Sequence, residues 1–251
     1  IAYEKRNPLI NRTDYIVLNN KQKTYSSNDP LNKLNTGIPS FEEFSTIKFD
    51  AVTTIRFGQK YISYPHRKIN TPSKYPTLNL FYSQNFGSTK NKYNFSEFAA
   101  QIKQGINIGN KGRFNYNIKA GTFLNANDIS FVDYKHFNGN ETYINTNNNY
   151  TNSFSLMPYY NFSTNKSYAE FHAEHNFKGF LLNKIPLINK LGFELLVGAN
   201  SLITKDKKPY SEYSIGLNNI GIGKLRFLRL DYVKSNYNGV SQNGLVFGIT
   251  F

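Results

Sequence analysis

The chain contains no cysteine and no tryptophan, has a single methionine, and carries few acidic residues. Without cysteine, neither a disulfide framework nor thiolate chemistry is available. No apolar run approaches the roughly 20 residues that a transmembrane helix requires, so helical membrane proteins are excluded. Sixteen Asp and Glu oppose thirty Lys and Arg, which gives a net charge of +14. This charge is compatible with nucleic acid, anionic lipid headgroups or an acidic ligand as a partner.

The composition favours strands over helices. There are 19 Tyr and 21 Phe among 251 residues, and Gly and Asn are frequent in the segments between apolar stretches. Aromatic side chains favour strands, whereas Gly and Asn favour turns, so an all-β fold is predicted. The basic residues are scattered and match no recognised nucleic-acid-binding module, so no nucleic-acid partner is predicted. Because the chain begins at Ile1 without a secretory leader, we expect it to be a fragment of an exported protein or a mature chain trimmed at its front.

The last ten residues alternate between bulky apolar side chains and small or polar ones. Strand side chains point to opposite faces with a period of two, so one face of this segment is apolar. An outer-membrane β-barrel closes with a strand of this kind, ending on phenylalanine and turning its apolar face to lipid. An edge strand of a soluble sandwich alternates in the same way and is the open alternative. The apolar row of the closing strand is Leu245, Phe247, Ile249 and Phe251.

Similar alternation recurs along the chain. The segment from Ile47 to Tyr61 is longer than the five or six residues of a typical soluble strand and fits a tilted membrane-crossing strand. Arg113 and Lys119 lie opposite the apolar row of their own strand, so that side cannot form a dry sandwich core. We therefore predict that residues 1–251 are the C-terminal part of an antiparallel transmembrane β-barrel and supply eleven or twelve of its strands. Strands are predicted near residues 1–6, 12–20, 47–61, 78–86, 98–108, 113–120, 167–180, 193–200, 213–217, 228–232 and 242–251.

The predicted connections fit one orientation of such a barrel. In outer-membrane barrels the periplasmic turns are short and the extracellular loops are long. Counting back from the C-terminus, the tight turn at residues 110–112 falls on the periplasmic side and the polar segment 125–166 falls outside. This orientation requires residues 153–163 to belong to the long loop, because an extra crossing there would invert everything upstream. A further outer loop is predicted from residue 21 to about residue 45.

Charged side chains recur on the face opposite the apolar rows. His172 lies between Glu170 and Glu174 at i±2, a pattern compatible with metal binding or proton transfer. Pairing with basic residues across a water-filled interior is the favoured interpretation, so neither a metal nor a cofactor is predicted. We expect Glu170, Glu174 and Arg229 to hold the long loop inside the barrel through charge-assisted hydrogen bonds. The predicted interior residues are Arg113, Lys119, Glu170, Glu174, Glu194, Arg229 and Asp231.

An outer-membrane hydrolase would need a nucleophile system with a histidine at the barrel rim. Asp133 and His136 in the long loop are the only candidates in the sequence, and no G-x-S-x-G frame accompanies them. A solvated loop pair is the favoured interpretation, and we predict that the chain is not an enzyme.

Three runs of sequence carry a resemblance to a known family: DYKHFNGNETYI, YAEFHAEHNFKGFLLNKIPLINKLGFELLVGAN and YSEYSIGLNNIGIGKLRFLRLDYV. Over roughly residues 75–251 the chain resembles the barrel half of a large Bacteroidetes family of unknown function, whose members carry a carboxypeptidase-like regulatory domain ahead of the barrel. More distantly, the final strands are similar to those of BamA and TamA, which form sixteen-stranded barrels. In that superfamily an inward-folded loop carries a motif of the Arg-Gly-Phe type. The corresponding stretch here begins with Phe137, Asn138 and Gly139, and the loop of this chain contains no Arg-Gly pair.

The resemblance implies a periplasmic N-terminal part and about five further strands upstream. It also implies residence in the outer membrane of a Gram-negative bacterium. Outer-membrane lipid and lipopolysaccharide would surround the barrel, and other outer-membrane or periplasmic proteins would be its partners. The implied function is non-enzymatic assistance in the insertion, assembly or translocation of outer-membrane or surface components, as a subunit of an envelope complex. A passive pore or uptake channel is the alternative.

Overall fold

β-Strands dominate the computed structural model, which describes residues 1–8, 15–19, 21–24, 41–71, 73–145, 150–223 and 225–250. These residues contain no α-helix, and none of their helical turns is long and apolar enough to cross a membrane. The prediction of an all-β fold is confirmed. The strands are β1 (Ala2–Arg6), β2 (Tyr15–Leu18), β3 (Lys21–Thr24), β4 (Phe44–Arg56), β5 (Tyr61–Tyr64), β6 (Arg67–Asn70), β7 (Thr77–Phe86), β8 (Phe95–Asn107), β9 (Arg113–Leu124), β10 (Ile144–Asn145), β11 (Tyr168–Asn176), β12 (Glu194–Thr204), β13 (Lys207–Ile222), β14 (Leu225–Tyr237) and β15 (Val240–Ile249). Short 3-10 helices span Asn91–Tyr93, Gly109–Lys111, Phe131–Asp133, Tyr150–Asn152, Leu182–Lys184 and Ile188–Leu191.

Eleven strands form one sheet in the order β1-β4-β7-β8-β9-β11-β12-β13-β14-β15-β10. Every neighbouring pair from β1 to β15 is antiparallel, and only the two-residue β10 pairs in parallel, against Phe247 and Gly248 of β15. The sheet has as many strands as the eleven predicted, but they are not all the same ones, because the strand predicted at residues 12–20 lies outside the sheet and β10 was not predicted. The described residues do not close this sheet into the predicted barrel, because its outermost strands, β1 and β10, do not pair with each other.

Two small hairpins stand apart from the main sheet. β2 pairs with β3, and β5 pairs with β6. The predicted strand over residues 12–20 is therefore only partly right: β2 covers part of it and turns back into β3, where a loop was predicted. Residues 25–40 of that predicted loop lie outside the described residues. The strand predicted from Ile47 to Tyr61 begins earlier, at Phe44, and ends earlier, at Arg56, because a turn there leads into β5, to which Tyr61 belongs.

The long connection between β9 and β11 contains only β10 and 3-10 helices among its described residues, so residues 153–163 belong to a loop as predicted. We call residues 125–167 the covering loop. It leaves the sheet at the same edge as the β12–β13 and β14–β15 turns, since the strands between them alternate in direction. The Gly109–Lys111 turn lies at the opposite edge. The covering loop and the Gly109–Lys111 turn thus lie at opposite edges, as predicted. The other connections do not follow the predicted pattern: two-residue turns join β12 to β13 and β14 to β15 at the edge of the covering loop, whereas residues 177–193 form a long connection at the opposite edge.

The two faces of the sheet differ in exposure. On β15, Leu245 is 52% and Phe247 is 58% exposed, whereas Val246 between them is 1% exposed and packs with Val233 and Leu156. We call the side that bears Leu245 the exposed face and the opposite side the covered face. Large apolar side chains on the exposed face include Leu80, Phe98, Ile102, Ile106, Ile118, Phe171, Ile203, Tyr213, Ile215, Leu228, Tyr232, Leu245 and Phe247.

Candidate functional site

The covering loop folds back onto the covered face and packs there as part of the protein core. Phe154 and Met157 are each only 1% exposed. Burying a side chain of this size contributes about 1.5–3 kcal/mol, so the loop is held chiefly by apolar contact. Buried apolar side chains of the loop and of the strands form one hydrophobic cluster. It contains the loop residues Ala126, Ile129, Phe137, Phe154, Met157 and Phe162 and the strand residues Phe95, Ala99, Phe123, Tyr168, Leu202 and Tyr210.

Glu212 of β13 anchors the middle of the covering loop. Its side chain is fully buried, and its carboxylate accepts hydrogen bonds from the backbone N–H of Ser155 at 2.7 Å and of Leu156 at 2.8 Å. The Tyr210 hydroxyl donates to the same carboxylate at 2.7 Å, and the Asn200 amide donates at 3.2 Å. A buried charge is tolerated when its lone pairs are satisfied by donors. Four donors satisfy the Glu212 carboxylate in this way.

Arg229 of β14 forms the second attachment of the covering loop. Its guanidinium donates to Glu174 at 2.6 Å and to Asp231 at 2.7 Å. The same group lies over the ring of Tyr150, with its carbon 3.6 Å from the ring centroid. Burial raises the pKa of Tyr150 to about 12, so this phenol stays neutral and offers its ring face to the cation. Two of the three residues expected to hold the loop thus meet here, where Tyr150 supplies the loop side of the contact.

Glu170, the third of those residues, lies near the basic side chain of Lys135 in the covering loop. The two charged groups are 3.7 Å apart. His172 is 1% exposed, and its Nδ1 lies 2.9 Å from the Asn200 amide oxygen. Lys119 extends over the ring of Phe81, 4.7 Å from its centroid. This part of the covered face therefore combines charges with aromatic surface.

A row of amide side chains crosses four strands of the covered face. The Thr54 hydroxyl donates to Asn79 at 2.8 Å, and the Asn79 amide donates to Gln101 at 3.0 Å. The Gln101 amide donates to Asn117 at 2.9 Å, and Asn117 donates to the backbone carbonyl of Thr151 at 2.8 Å. Each amide thus accepts on one side and donates on the other. This amide row connects β4, β7, β8 and β9 to the covering loop.

Asp133 and His136 do not form the pair that a rim hydrolase would need. The Asp133 carboxylate is bound by the Arg6 guanidinium of β1, and burial raises the pKa of this carboxyl group although Arg6 opposes the effect. The His136 Nδ1 lies 2.7 Å from the Ser163 hydroxyl, and the ring is enclosed by Phe131 and Tyr160. Burial lowers the pKa of His136 and favours the neutral imidazole. The proposed catalytic partners thus face different residues.

The other residues of the predicted loop motif make packing contacts and hydrogen bonds that stabilise the covering loop. Phe137 is buried edge-on against Tyr168. The Asn138 amide donates to the Asn152 carbonyl at 2.8 Å, and the Asn138 carbonyl accepts from Phe154 N–H at 2.8 Å. Gly139 lies so close to the Met157 carbonyl that a Cβ there would collide with it. These contacts fold the two halves of the covering loop against each other.

The remaining predicted polar residues hydrogen-bond to neighbouring side chains of the sheet. Glu194 accepts from Asn176 at 2.7 Å and from Asn218 at 3.3 Å near the opposite edge of the sheet. Arg113 is exposed and donates to the Asn115 side chain at 3.1 Å. In the closing strand, Leu245 and Phe247 are on the exposed face and Ile249 is half-buried, whereas Phe251 lies outside the described residues. No cluster of three or more His, Asp or Glu suited to a metal ion occurs in the part of the chain that the structure describes.

Two residues of the site were not anticipated. Glu212 shares its strand face with Tyr210, opposite the predicted apolar row of Tyr213, Ile215 and Leu217, so the alternation marked it as facing the covered side. Its role in holding the loop could not be predicted from the sequence, because the loop groups that it binds are backbone N–H groups, which every residue except proline carries. Tyr150 lies in an Asn-rich polar segment, where no periodic signal exists.

These features define an all-β protein with one long antiparallel sheet, exposed and apolar on one face and covered by its own loop on the other. Residues 1–217 match the model of the C-terminal domain of DUF5686, a family of unknown function. The match covers most of the chain, and the chain therefore belongs to this family. No curated protein and no solved structure matches.

The predicted resemblance to a family of unknown function is confirmed at that level. The match includes the first seventy residues, where the resemblance was expected to be weaker, and ends within β13. The family description mentions neither a BamA-like barrel nor a carboxypeptidase-like domain, and both stay predictions.

Proposed function

We propose that the chain is the membrane part of an outer-membrane β-barrel protein of a Gram-negative bacterium. The observation that carries this proposal is the contrast between the two faces of the sheet. Soluble monomers rarely expose contiguous apolar patches larger than a few hundred Å², and here exposed apolar residues recur on strand after strand from β7 to β15. A lipid environment would cover this face, while the charged and amide-rich face would line the interior.

Strand length supports the same proposal. β8, β9, β12 and β14 are 13, 12, 11 and 13 residues long. A tilted membrane-crossing strand needs about 9–11 residues, whereas strands of soluble sheets average five or six. In this proposal, further strands from the longer protein pair with the free edges and close the barrel, to sixteen strands if it is BamA-like.

Within the membrane, we favour a non-enzymatic role in the insertion, assembly or translocation of outer-membrane or surface components, as a subunit of an envelope complex. The packed covering loop supports this role, because a loop that fills the interior would obstruct free diffusion. The partners would be outer-membrane lipid, lipopolysaccharide and other envelope proteins. A passive pore is the second candidate, and the polar lining provided by the amide row and Arg229 is the observation in its favour.

Replacing an exposed-face residue by arginine tests the membrane placement. Ile118 is central in β9 and 41% exposed, between Ile102 of β8 and Phe171 of β11. An arginine at the bilayer midplane costs about 2–4 kcal/mol, whereas in water the same change on an exposed surface is nearly neutral. Cells that produce the full-length protein with Ile118→Arg should contain less of it, and less of other folded outer-membrane proteins, in the outer-membrane fraction.

Val240→Arg is the matched control. Val240 is 70% exposed at the tip of the β14–β15 hairpin, outside the proposed bilayer. This variant should leave unchanged both its own amount and that of other folded proteins in the outer-membrane fraction. Equal amounts of the two variants in that fraction would contradict the membrane placement. A lower amount of the Ile118→Arg protein without any effect on other outer-membrane proteins would contradict the assembly role.

A further inference from the structure

A cavity of about 500 Å³ lies between the covered face and the Tyr150–Thr151 part of the covering loop. It opens near the edge of the sheet that carries the Gly109–Lys111 turn. Its volume falls in the range of small-molecule sites, about 300–1,000 Å³. The side chains that give the cavity its chemistry are Thr77, Lys103, Arg113, Asn115, Tyr150 and Glu174.

The cavity has an excess of positive charge. Neither Lys103 nor Arg113 forms an ion pair with any residue that the structure describes. The one carboxylate that lines the cavity, that of Glu174, is already bound by Arg229 at 2.6 Å. Two cations are therefore left without a counter-charge in a concave polar site, and an anion placed there would relieve their mutual repulsion.

Gly105 determines where the Arg113 guanidinium lies. A Cβ added to Gly105 would lie 2.6 Å from Nη2 of Arg113 and 2.6 Å from the Asn115 side-chain oxygen. The guanidinium thus rests on the bare backbone of β8, fixed by its hydrogen bond to Asn115. Lys103 is two residues earlier on the same strand and lines the same cavity, about 7 Å away along the strand. Both cationic side chains therefore border the same space, in which an oxyanion could accept charge-assisted hydrogen bonds.

We infer that this cavity binds the phosphate group of a water-soluble, hydroxyl-bearing small molecule. Arg113 offers the paired donors that match a phosphate, and Lys103 adds a second charge. Thr77, Asn115 and Tyr150 surround the site with groups that hydrogen-bond hydroxyls. The inference goes beyond the proposed function, because it requires only the geometry of the covered face and not the position of the protein in a membrane.

Calorimetric titration of the purified full-length protein with inorganic phosphate and with glucose 6-phosphate tests the inference. Both should bind saturably at low salt, glucose 6-phosphate more tightly, and glucose alone should not bind. Arg113→Gln and Lys103→Gln should each weaken binding about tenfold or more, the usual effect of losing one charge-assisted hydrogen bond. Gly105→Ala keeps both charges but displaces the guanidinium, and should weaken binding to a similar extent.

Lys111→Gln is the control, since this exposed lysine lies in the neighbouring turn and does not line the cavity. It should leave binding unchanged, and unchanged thermal unfolding of each variant without phosphate would exclude misfolding. Absence of saturable binding, or equal weakening by Lys111→Gln, would overturn the inference. Binding of dihexanoyl phosphatidylglycerol without binding of glucose 6-phosphate would also overturn it, because the site would then recognise a lipid headgroup.

Discussion

Glu212 is the residue on which the position of the covering loop depends most directly. A carboxylate that accepts two backbone N–H groups cannot be replaced by a neighbouring side chain, because backbone donors point in fixed directions. Each buried donor left without an acceptor costs about 1–3 kcal/mol. Loss of this side chain would therefore weaken loop docking more than loss of any single exposed ion pair.

We predict that Glu212→Ala exposes the backbone of the covering loop to solvent. The amides of Ser155 and Leu156 lose their acceptor, so their hydrogen exchange should become at least tenfold faster, as measured by mass spectrometry of the loop peptides. Glu43→Ala serves as the control, because Glu43 is exposed and pairs with Lys5 of β1, away from the covering loop. Unchanged protection of the loop peptides in Glu212→Ala would contradict the anchoring role.

His136 gives the docked loop a dependence on pH. Its pKa in the folded protein is lower than the ordinary value near 6.5, because the ring is buried between Phe131 and Tyr160. Above about pH 6.5 the imidazole is neutral in both the docked and the released loop, so its stabilising packing is fully present. As the pH falls below that value, the released loop takes up the proton first. Docking therefore weakens progressively until the pH reaches the folded pKa.

Limited proteolysis should show this pH effect directly. The covering loop of the unmodified protein should be cleaved several-fold faster at pH 5 than at pH 7, relative to an unstructured reference peptide. His136→Gln should remove this difference, since glutamine does not titrate. His66→Gln is the control, because His66 is exposed in the turn between β5 and β6 and should leave the difference intact. A pH effect that persists in His136→Gln would place its origin elsewhere.

At the residue scale, the sequence predicted the face of the sheet on which a side chain lies better than the residues that this side chain contacts. Strand alternation alone put Arg229, Asp231 and Glu174 on one face, and their side chains do meet. It could not show that Asp133 would be bound by Arg6, 127 positions away. Such contacts depend on where a long loop folds, and no local pattern encodes that path.

Among the elements, the covering loop would have the largest effect on passage through the interior of the proposed barrel. It places an aromatic cluster and the Arg229–Tyr150 contact across the covered face. The loop could be recognised as long and polar from its composition, but its buried residues, Phe154 and Met157, occur without the regular spacing of a strand or a helix. Its docking could therefore not be predicted from periodicity.

Planar-bilayer recording on the full-length protein separates the two candidate functions. With the loop docked, the protein should pass little current, and replacing residues 127–165 by a short Gly/Ser linker should raise the conductance several-fold. The same linker inserted at Gly239, in the exposed β14–β15 turn, is the control and should leave conductance low. A high conductance in the intact protein would favour the passive pore over the assembly role.

For the whole molecule, most of the main sheet was predictable because its strands repeat one pattern. The strands β7, β8, β9, β11 and β15 lie where alternation placed them, and the long loop and the tight turn fall at opposite edges. The β2–β3 hairpin was missed, since its four-residue strands are too short to show a period. The edge strand β10 was missed for the same reason. Its pairing with β15 depends on the folded loop.

Apart from β10, the strands of the main sheet follow one another in chain order, so each can be added to the strand that precedes it in the sheet. The covering loop breaks this rule, because Leu202, Tyr210, Glu212 and Arg229, which hold it, all come later in the chain. Contacts of long sequence separation form slowly, since closing the intervening chain costs entropy. We therefore expect docking of the loop to be a late event in folding, and a chain interrupted before β12 would leave Phe154 and Phe162 without Leu202 and Tyr210, against which they pack.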